Sequence, residues 1–389
     1  MKTPRINELD ALRAFAFLFV VAQHIFGGFA WREAVDPNQS LVLSFLYVIA
    51  KPAVPIFLTL LGITLFLSCK NRKPDFKEFY KKKFIGIFIP YVIWSIVIII
   101  YNEDYEKFSN ILGVLVTGDA GYQLWYMGML GRIFLFFPLL WLITNRIYSL
   151  GKAWRGILFT LFVIAYWMLN NNDPIVTNSI AHFIFGTPSY FEEKFISISP
   201  ILWCLYLVIG IRIAFEYENF VSFIEKRKVL ILGIYPLLLA YNYYDEIKYK
   251  IGIKESDLVH SLVNYSHHVL YISFMVSSII VFYLVSRYIY CNSPRAFKLF
   301  RHIAKYSYMG YLIHTCVIAK AASPIIVDGR PYSLPLDIAI YLVTIFFSIE
   351  IPHLISYLPY SKFLTGSKRN TLNNLKLNFV FRGHDSAKG

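Results

Sequence analysis

The dominant pattern along the chain is a series of apolar runs separated by short breaks that are charged or rich in Pro, Asn and Gly. Most of these runs are long enough for a helix to cross a hydrocarbon layer roughly 30 Å thick. The pattern therefore predicts an all-α, polytopic integral membrane protein with about ten transmembrane helices. The predicted spans lie near residues 9–29, 41–67, 84–101, 123–143, 156–169, 199–215, 229–241, 265–285, 308–322 and 337–358.

The composition agrees with this prediction. Of the 389 residues, 57% are hydrophobic and 16% are charged, which excludes an ordinary soluble globular protein. A net charge of +14 invites a nucleic-acid partner, but Lys and Arg lie in short segments between apolar runs, so none is expected. The four cysteines form no CxxC pair and have no metal-ligand spacing, so the sequence predicts neither a disulfide framework nor a metal site.

The distribution of basic residues predicts how the chain is oriented. With a cytoplasmic N-terminus, the inner segments hold 27 Lys and Arg and the outer segments hold 7. Because basic loops are retained in the cytoplasm, both termini are predicted to be cytoplasmic. Residues 1–358 then form the transmembrane domain and residues 359–389 a basic cytoplasmic tail. The expected location is the inner (cytoplasmic) membrane.

The first span carries two ionisable residues, Arg13 and His24. Eleven residues at about 100° each bring both to one helix face, about 16 Å apart along the axis, so they line one face without pairing. An imidazole removed from water favours its neutral form, which is the form that a general base requires. The alternative is structural: Arg13 snorkels to the headgroups and His24 makes an interhelical hydrogen bond.

The segment that holds these two residues resembles a known family signature. "LDALRAFAFLFVVAQH", with Arg and His separated by ten residues after Leu-Asp, is similar to the first span of the membrane acyltransferase-3 family. Members of that family transfer acyl groups, mostly acetyl from cytoplasmic acetyl-CoA, to sugar hydroxyls of surface polysaccharides, lipid-linked glycans and some small glycosides. The family's essential Arg and His correspond to Arg13 and His24, so the resemblance implies that these two residues are catalytic.

Later segments extend the resemblance over the whole chain, and two positions depart from it. At the third-span entrance the family usually has two arginines three residues apart, where this chain has Lys83 and Gly86. The family's Ser-Gly near the end of the second span is Leu61-Gly62 here. Because an ammonium cannot grip a phosphate bidentately as guanidinium does, donor binding is expected to differ from the common pattern. The matching segments are "KPAVPIFLTLLGITLF", "KKKFIGIFIPYVIW", "QLWYMGMLGRIFLFFPLL" and "YSYMGYLIH".

Three consecutive lysines, Lys81, Lys82 and Lys83, precede the third span on the predicted cytoplasmic side. One interpretation is that they fix the topology and contact anionic lipid. The other is that they bind the phosphates of coenzyme A beside Arg13 and supply the charge that the missing arginine leaves open. Both interpretations can hold for different lysines.

Five further residues in the predicted spans are candidates for a substrate pocket. Ionisable groups are costly in hydrocarbon, so they are expected to face the bundle interior, either in contact with substrate or in structural ion pairs. Glu350 is expected to neutralise Arg132 or Lys51 across helices, and an interfacial position explains the tryptophan equally well. The five candidates are Lys51, Trp125, Arg132, His314 and Glu350.

These features predict a membrane O-acyltransferase. It moves an acyl group, with acetyl as the first expectation, from a cytoplasmic acyl-CoA to a sugar hydroxyl of a surface polysaccharide or lipid-linked glycan. No bound cofactor is expected, and acyl-CoA serves as co-substrate. The expected partners are acyl-CoA, the glycan or lipid-linked sugar and membrane lipids. The alternative is a translocator of polysaccharide or lipid-linked sugar, because charged residues within spans also mark transport paths.

Overall fold

The computed structural model describes residues 6–30, 32, 35–70, 73–248, 257–323 and 333–370. Within these residues the secondary structure is helical throughout. The principal helices, in chain order, are α1 (Glu8–Ala30), α2 (Pro37–Leu67), α3 (Phe76–Tyr101), α4 (Ile111–Thr117), α5 (Trp125–Leu135), α6 (Phe137–Tyr148), α7 (Lys152–Asn171), α8 (Asp173–Phe185), α9 (Tyr190–Ser197), α10 (Cys204–Phe215), α11 (Tyr217–Ile247), α12 (Asp257–Asn292), α13 (Pro294–Ala321), α14 (Leu334–Ile355) and α15 (Lys362–Thr365).

The all-α membrane architecture is confirmed, whereas the count of ten spans is not. Seven helical segments among the described residues are long and apolar enough to cross a membrane. The bent arrangement Tyr105–Leu135 plus Phe137–Tyr148 gives an eighth when it is taken as one span. The other two predicted spans lie within α11 and α13, which are long helices that do not meet the same apolarity requirement over the described residues. Both are interrupted by charged residues, which explains the difference.

Local sequence signals set where several helices begin. Asp36 accepts hydrogen bonds from the backbone N–H groups of Asn38 and Gln39, so it caps α2 just ahead of Pro37. Asp75 caps α3 through the N–H of Glu78 in the same way. In both cases a short polar side chain satisfies backbone N–H groups of the first turn and so marks where the helix begins.

Helices α1, α2 and α3 are each interrupted near a candidate site residue. A π-helical turn, Gln23–Gly27, contains His24, and a second π-helical turn, Phe84–Phe88, begins directly after Lys83. Helix α2 breaks at Lys51 and Pro52. Because π-turns and proline breaks release backbone groups from the regular ladder, they allow side chains and carbonyls to meet a neighbouring helix or a ligand.

Helix α1 lies at the centre of the bundle. It is the most buried of the candidate spans and packs against α2, α12, α13 and α14. Its ionisable residues therefore lie in the part of the bundle that other helices surround, as ionisable residues in a span require.

Helices α2 and α10 approach each other through two glycines. A Cβ added at Gly210 would overlap the carbonyl oxygen of Thr59, and one added at Gly62 would overlap that of Leu207. Small residues at such a crossing allow the two backbones to come into contact. Gly62, which the sequence places in a family motif, thus has a packing role.

Substituting Gly210 by alanine is expected to lower the free energy of unfolding by about 2 kcal/mol, because the backbone of α2 must move aside. Unfolding by sodium dodecyl sulfate in mixed micelles, followed by tryptophan fluorescence, measures this change. Gly233→Ala is the matched control, since an added Cβ at this mid-helix glycine meets no described heavy atom within 4 Å. Equal unfolding midpoints for the two variants would contradict the close approach.

The segment after α14 packs back onto the bundle as far as it is described. Trp94 of α3 donates to the carbonyl of Leu364 (3.1 Å), and Gly366 lies against Gly86. Asn370 donates to the hydroxyl of Tyr306 (2.8 Å). This part of the predicted tail covers the π-turn of α3, and residues 371–389 of that tail lie outside the described residues.

Candidate functional site

His24 lies at the wall of a small cavity at the predicted outer end of α1. The cavity has a volume of about 310 Å³. The ring of His24 meets the ring of Tyr122 edge-on, with 4.9 Å between centroids. We call this space the histidine cavity, and its lining residues are Gln23, His24, Gly28, Phe29, Arg32, Tyr122, Ile318 and Ala322.

His314 lies directly behind His24. The two ring centroids are 5.2 Å apart and the ring planes are tilted by 33°. His314 is fully buried, and its Nδ1 lies 2.6 Å from the carbonyl oxygen of Tyr311, to which an N–H at that position donates. Its Nε2 has no hydrogen-bond partner among the described residues. In this tautomer Nε2 carries a lone pair and can accept a hydrogen bond from a neighbouring donor.

Hydrogen bonds to backbone carbonyls hold the elements around the histidine cavity. Gln23 donates to the carbonyl of Ala50 (2.7 Å), immediately before the break in α2. Tyr311 donates to the carbonyl of Gln123, and this bond joins α13 to the turn that carries Tyr122. Because each bond ties a different helix to its neighbour, the positions of His24, Tyr122 and His314 depend on three separate parts of the chain.

Arg13 lies toward the other end of the same α1 face, on the predicted cytoplasmic side, and Lys83 of α3 lies near enough to interact with it electrostatically. Arg13 contacts Asp10 at 3.5 Å, and its side chain keeps 35% exposure. Lys83 lies 4.5 Å from the ring centroid of Phe134, and its ammonium is close enough to Arg13 for the two charges to repel each other. Two like charges held together favour binding of an anion between them. We call this pair the basic entrance.

Lys81 and Lys82 are not part of this pair. Both are exposed on the surface of α3, and Lys82 pairs with Glu78 one turn earlier at 3.3 Å. The three consecutive lysines therefore differ in their surroundings. Lys83, by contrast, is partly buried and interacts electrostatically with Arg13.

Lys51, Arg132 and Trp125 lie outside the histidine cavity lining. Lys51 forms an ion pair with Glu246 at 2.7 Å. Arg132 donates to the carbonyls of Phe195 (2.6 Å) and Ile198 (2.9 Å), which ties α5 to the end of α9. The structural interpretation that the sequence left open fits these two basic residues, since their donors are directed to protein groups.

Trp125 packs against another tryptophan. Its ring centroid lies 5.4 Å from that of Trp203, and the ring of Tyr126 meets it edge-on at 6.2 Å. Trp125 and Tyr126 follow Tyr122 in the chain, and the contact with Trp203 joins α5 to the turn just before α10. Trp125 is therefore near the histidine cavity in the chain but does not line it.

The predicted partners of Glu350 are wrong. Glu350 accepts a hydrogen bond from His302 (2.8 Å) and another from His353 (2.8 Å), and neither Arg132 nor Lys51 contacts it. The sequence also predicted no metal site, yet these three side chains offer donor atoms that all lie within 4.8 Å of one another. We call them the His–Glu–His cluster.

The sequence did not identify Tyr122 and His302 as candidate residues, because the patterns around them are weak. Tyr122 stands one residue ahead of the "QLW" motif, and nothing in the spacing relates it to His24. His302 lies before the predicted ninth span, whereas Glu350 and His353 form a Glu-x-x-His pair on one helix face. Metal sites in helical bundles use this spacing, so the Glu-x-x-His pair was the sequence pattern that could have indicated the cluster.

Comparison with known protein families identifies this chain's relatives. A family model described as an acyltransferase domain matches residues 6–353. The match covers the basic entrance, the histidine cavity and the His–Glu–His cluster. No curated protein and no solved structure matches the chain.

Proposed function

Because the chain belongs to the acyltransferase 3 family and forms a multi-pass membrane protein, we propose that it transfers an acyl group, acetyl in first place, from a cytoplasmic acyl-CoA to a sugar hydroxyl of a surface glycan or lipid-linked precursor. The observation that supports this most directly is the arrangement of α1. Its polar face carries a basic entrance at one end and the histidine cavity at the other, about 16 Å away.

The basic entrance is the proposed donor site. The guanidinium of Arg13 forms bidentate hydrogen bonds with a phosphate of coenzyme A, and the ammonium of Lys83 adds a second positive charge. The phosphates then stay at the predicted cytoplasmic side, and the acyl arm extends along α1 toward His24. Lys81 and Lys82, which are exposed, contribute to topology and to lipid contact.

The histidine cavity is the proposed site of acyl transfer. A neutral His24 takes the proton of the sugar hydroxyl while the hydroxyl oxygen attacks the thioester carbonyl. The new carbon–oxygen bond forms, the carbon–sulfur bond breaks, and the thiolate of coenzyme A takes the proton from the imidazolium. A thioester is reactive enough for this step to proceed with the residues of the chain alone.

His314 is the proposed positioning residue for this step. Its Nδ1–H is held by the carbonyl of Tyr311, and its Nε2, which has no hydrogen-bond partner among the described residues, is available to accept a hydrogen bond from the nearby ring of His24. Formation of that bond would fix the tautomer in which the other nitrogen of His24 faces the hydroxyl. The same logic orients histidines through a second hydrogen bond in many catalytic sites.

His314→Phe is expected to lower kcat about 10-fold to 100-fold and to leave the KM for acyl-CoA unchanged, because the ring volume stays while the acceptor nitrogen is lost. Cys316→Ala, two residues along the same helix, is the matched control and should keep the wild-type kcat. A rise in the KM for acyl-CoA with an unchanged kcat would instead place His314 in donor binding.

A direct assay tests the proposed reaction. Purified protein in lipid vesicles is incubated with acyl-labelled acetyl-CoA and a glycan acceptor, and label in the glycan is counted. We expect label to move to the glycan in an ester that dilute alkali cleaves. Flux of unmodified glycan across the vesicle membrane without transfer of label would favour the translocator.

A further inference from the structure

A second group of chemically active side chains lies away from the histidine cavity. The carboxylate of Glu350 bridges two imidazoles: one oxygen lies 2.8 Å from Nε2 of His302 and the other lies 2.8 Å from Nδ1 of His353. His302 belongs to α13, and the other two belong to α14. His302 precedes His314 by twelve residues, or about 18 Å along α13, so the two histidine groups are separate.

The His–Glu–His cluster is partly exposed at the predicted cytoplasmic end of these helices. The side chains of His302 and Glu350 are 32% exposed and that of His353 is 27% exposed. The cluster is nevertheless well held, because the ring of His302 meets that of Tyr306 edge-on at 5.1 Å.

The donor set matches a transition metal. Two imidazole nitrogens and a carboxylate oxygen suit zinc and its neighbours, whereas magnesium and calcium prefer oxygen ligands. Tetrahedral zinc with bonds of about 2.0–2.1 Å needs donor atoms about 3.3 Å apart. The donors of the cluster lie within 4.8 Å of one another, and two of their separations are 2.8 Å, so small side-chain rotations bring all three to that spacing.

The surroundings also fit a metal ligand set. Nε2 of His353 lies 3.3 Å from the hydroxyl of Tyr357, which fixes the ring with Nδ1 toward Glu350. Histidines that bind metals are usually held through their second nitrogen in this way. Glu350 and His353 are three residues apart and share one face of α14, so both ligands come from a rigid helix.

We propose that the His–Glu–His cluster binds a divalent transition metal ion of the zinc class, with Nε2 of His302, Nδ1 of His353 and a carboxylate oxygen of Glu350 as protein ligands. Water fills the remaining position. The ion ties α13 to α14 just before the chain turns to cover the π-turn of α3. This inference is independent of the proposed acyl transfer.

Cobalt binding tests the site. Full-length protein without a polyhistidine tag is purified in detergent, stripped with a chelator and titrated with Co²⁺, whose visible absorption reports ligands and geometry. We expect one Co²⁺ per chain, displaced by Zn²⁺ and not by Mg²⁺. Absence of a saturable visible spectrum in the wild type would overturn the proposal, and this outcome depends on no variant.

Variants locate the ion. Glu350→Gln and His302→Ala are each expected to weaken Co²⁺ binding at least 10-fold. His182→Ala, which removes an exposed histidine on α8, and His24→Ala should bind Co²⁺ as the wild type does. Loss of binding in His24→Ala with full binding in Glu350→Gln would place the metal at the histidine cavity and overturn the assignment.

A second readout covers variants that fold poorly. Zn²⁺ is expected to raise the thermal unfolding temperature of the wild type, because an ion that binds the folded state alone stabilises it. The increase should vanish in Glu350→Gln, which keeps the shape of the side chain. An equal increase in wild type and Glu350→Gln would show that Zn²⁺ acts elsewhere.

Discussion

His24→Ala is expected to lower kcat for acyl transfer by about 10³-fold, with little change in the KM for acyl-CoA. General base catalysis by a positioned side chain contributes about 10²-fold to 10⁴-fold, and alanine has no group that can take the proton. Donor binding is retained because the basic entrance lies about 16 Å away on α1. The measurement is the initial rate of label transfer at saturating acyl-CoA, with KM taken from a donor series.

The control for this variant is His182→Ala, which removes an exposed histidine whose Nδ1 contacts the carbonyl of Asn178 within its own helix. It should keep the wild-type rate. A second variant, His24→Gln, keeps a polar side chain of similar length and should be as slow as His24→Ala. A rate for His24→Ala within 10-fold of the wild type, with the protein still folded, would exclude His24 as the base.

The positions of Arg13 and His24 on one face of α1 could be predicted from the sequence, because they depend on the geometry of a single helix. Regular helical geometry already brought Arg13 and His24 to one side and separated them along the axis. The interruption at Gln23–Gly27 was not predicted, since a π-turn has no apolar pattern of its own. Its first residue, Gln23, makes the hydrogen bond to the carbonyl of Ala50 that joins α1 to α2.

Contacts between helices were harder to predict from the sequence. Lys51 and Glu350 were expected to find partners across the bundle, but Lys51 pairs with Glu246, and Glu350 pairs with His302 of α13 and with His353 of its own helix. One sequence shows which side chains need a partner without showing which helices are neighbours. The lysine run at the third span illustrates the same limit, because the face of α3 separates Lys83 from the two exposed lysines before it.

Arg13→Ala is expected to raise the KM for acyl-CoA about 10-fold to 100-fold while kcat falls much less. A hydrogen bond to a charged group contributes about 1.5–3 kcal/mol, and the lost guanidinium makes such bonds to a phosphate. In the free protein Arg13 contacts Asp10 at 3.5 Å, so part of its charge is already compensated, and the lower end of the range is the better expectation. The KM comes from initial rates over a donor series.

The charge and the geometry of Arg13 can be separated. Arg13→Lys keeps the charge and loses the bidentate fork, so it should lie between wild type and Arg13→Ala. Lys82→Ala removes a charge from the same predicted side of the membrane, and its expected KM is within twofold of the wild type, because Lys82 is exposed and pairs with Glu78. Equal increases in Arg13→Ala and Lys82→Ala would mean that diffuse surface charge, rather than the basic entrance, attracts the donor.

A double variant, Arg13→Ala with Lys83→Ala, tests whether both residues bind one phosphate group. If they do, the change in KM of the double variant should differ from the product of the changes in the two single variants, because neighbouring charges on one ligand are coupled.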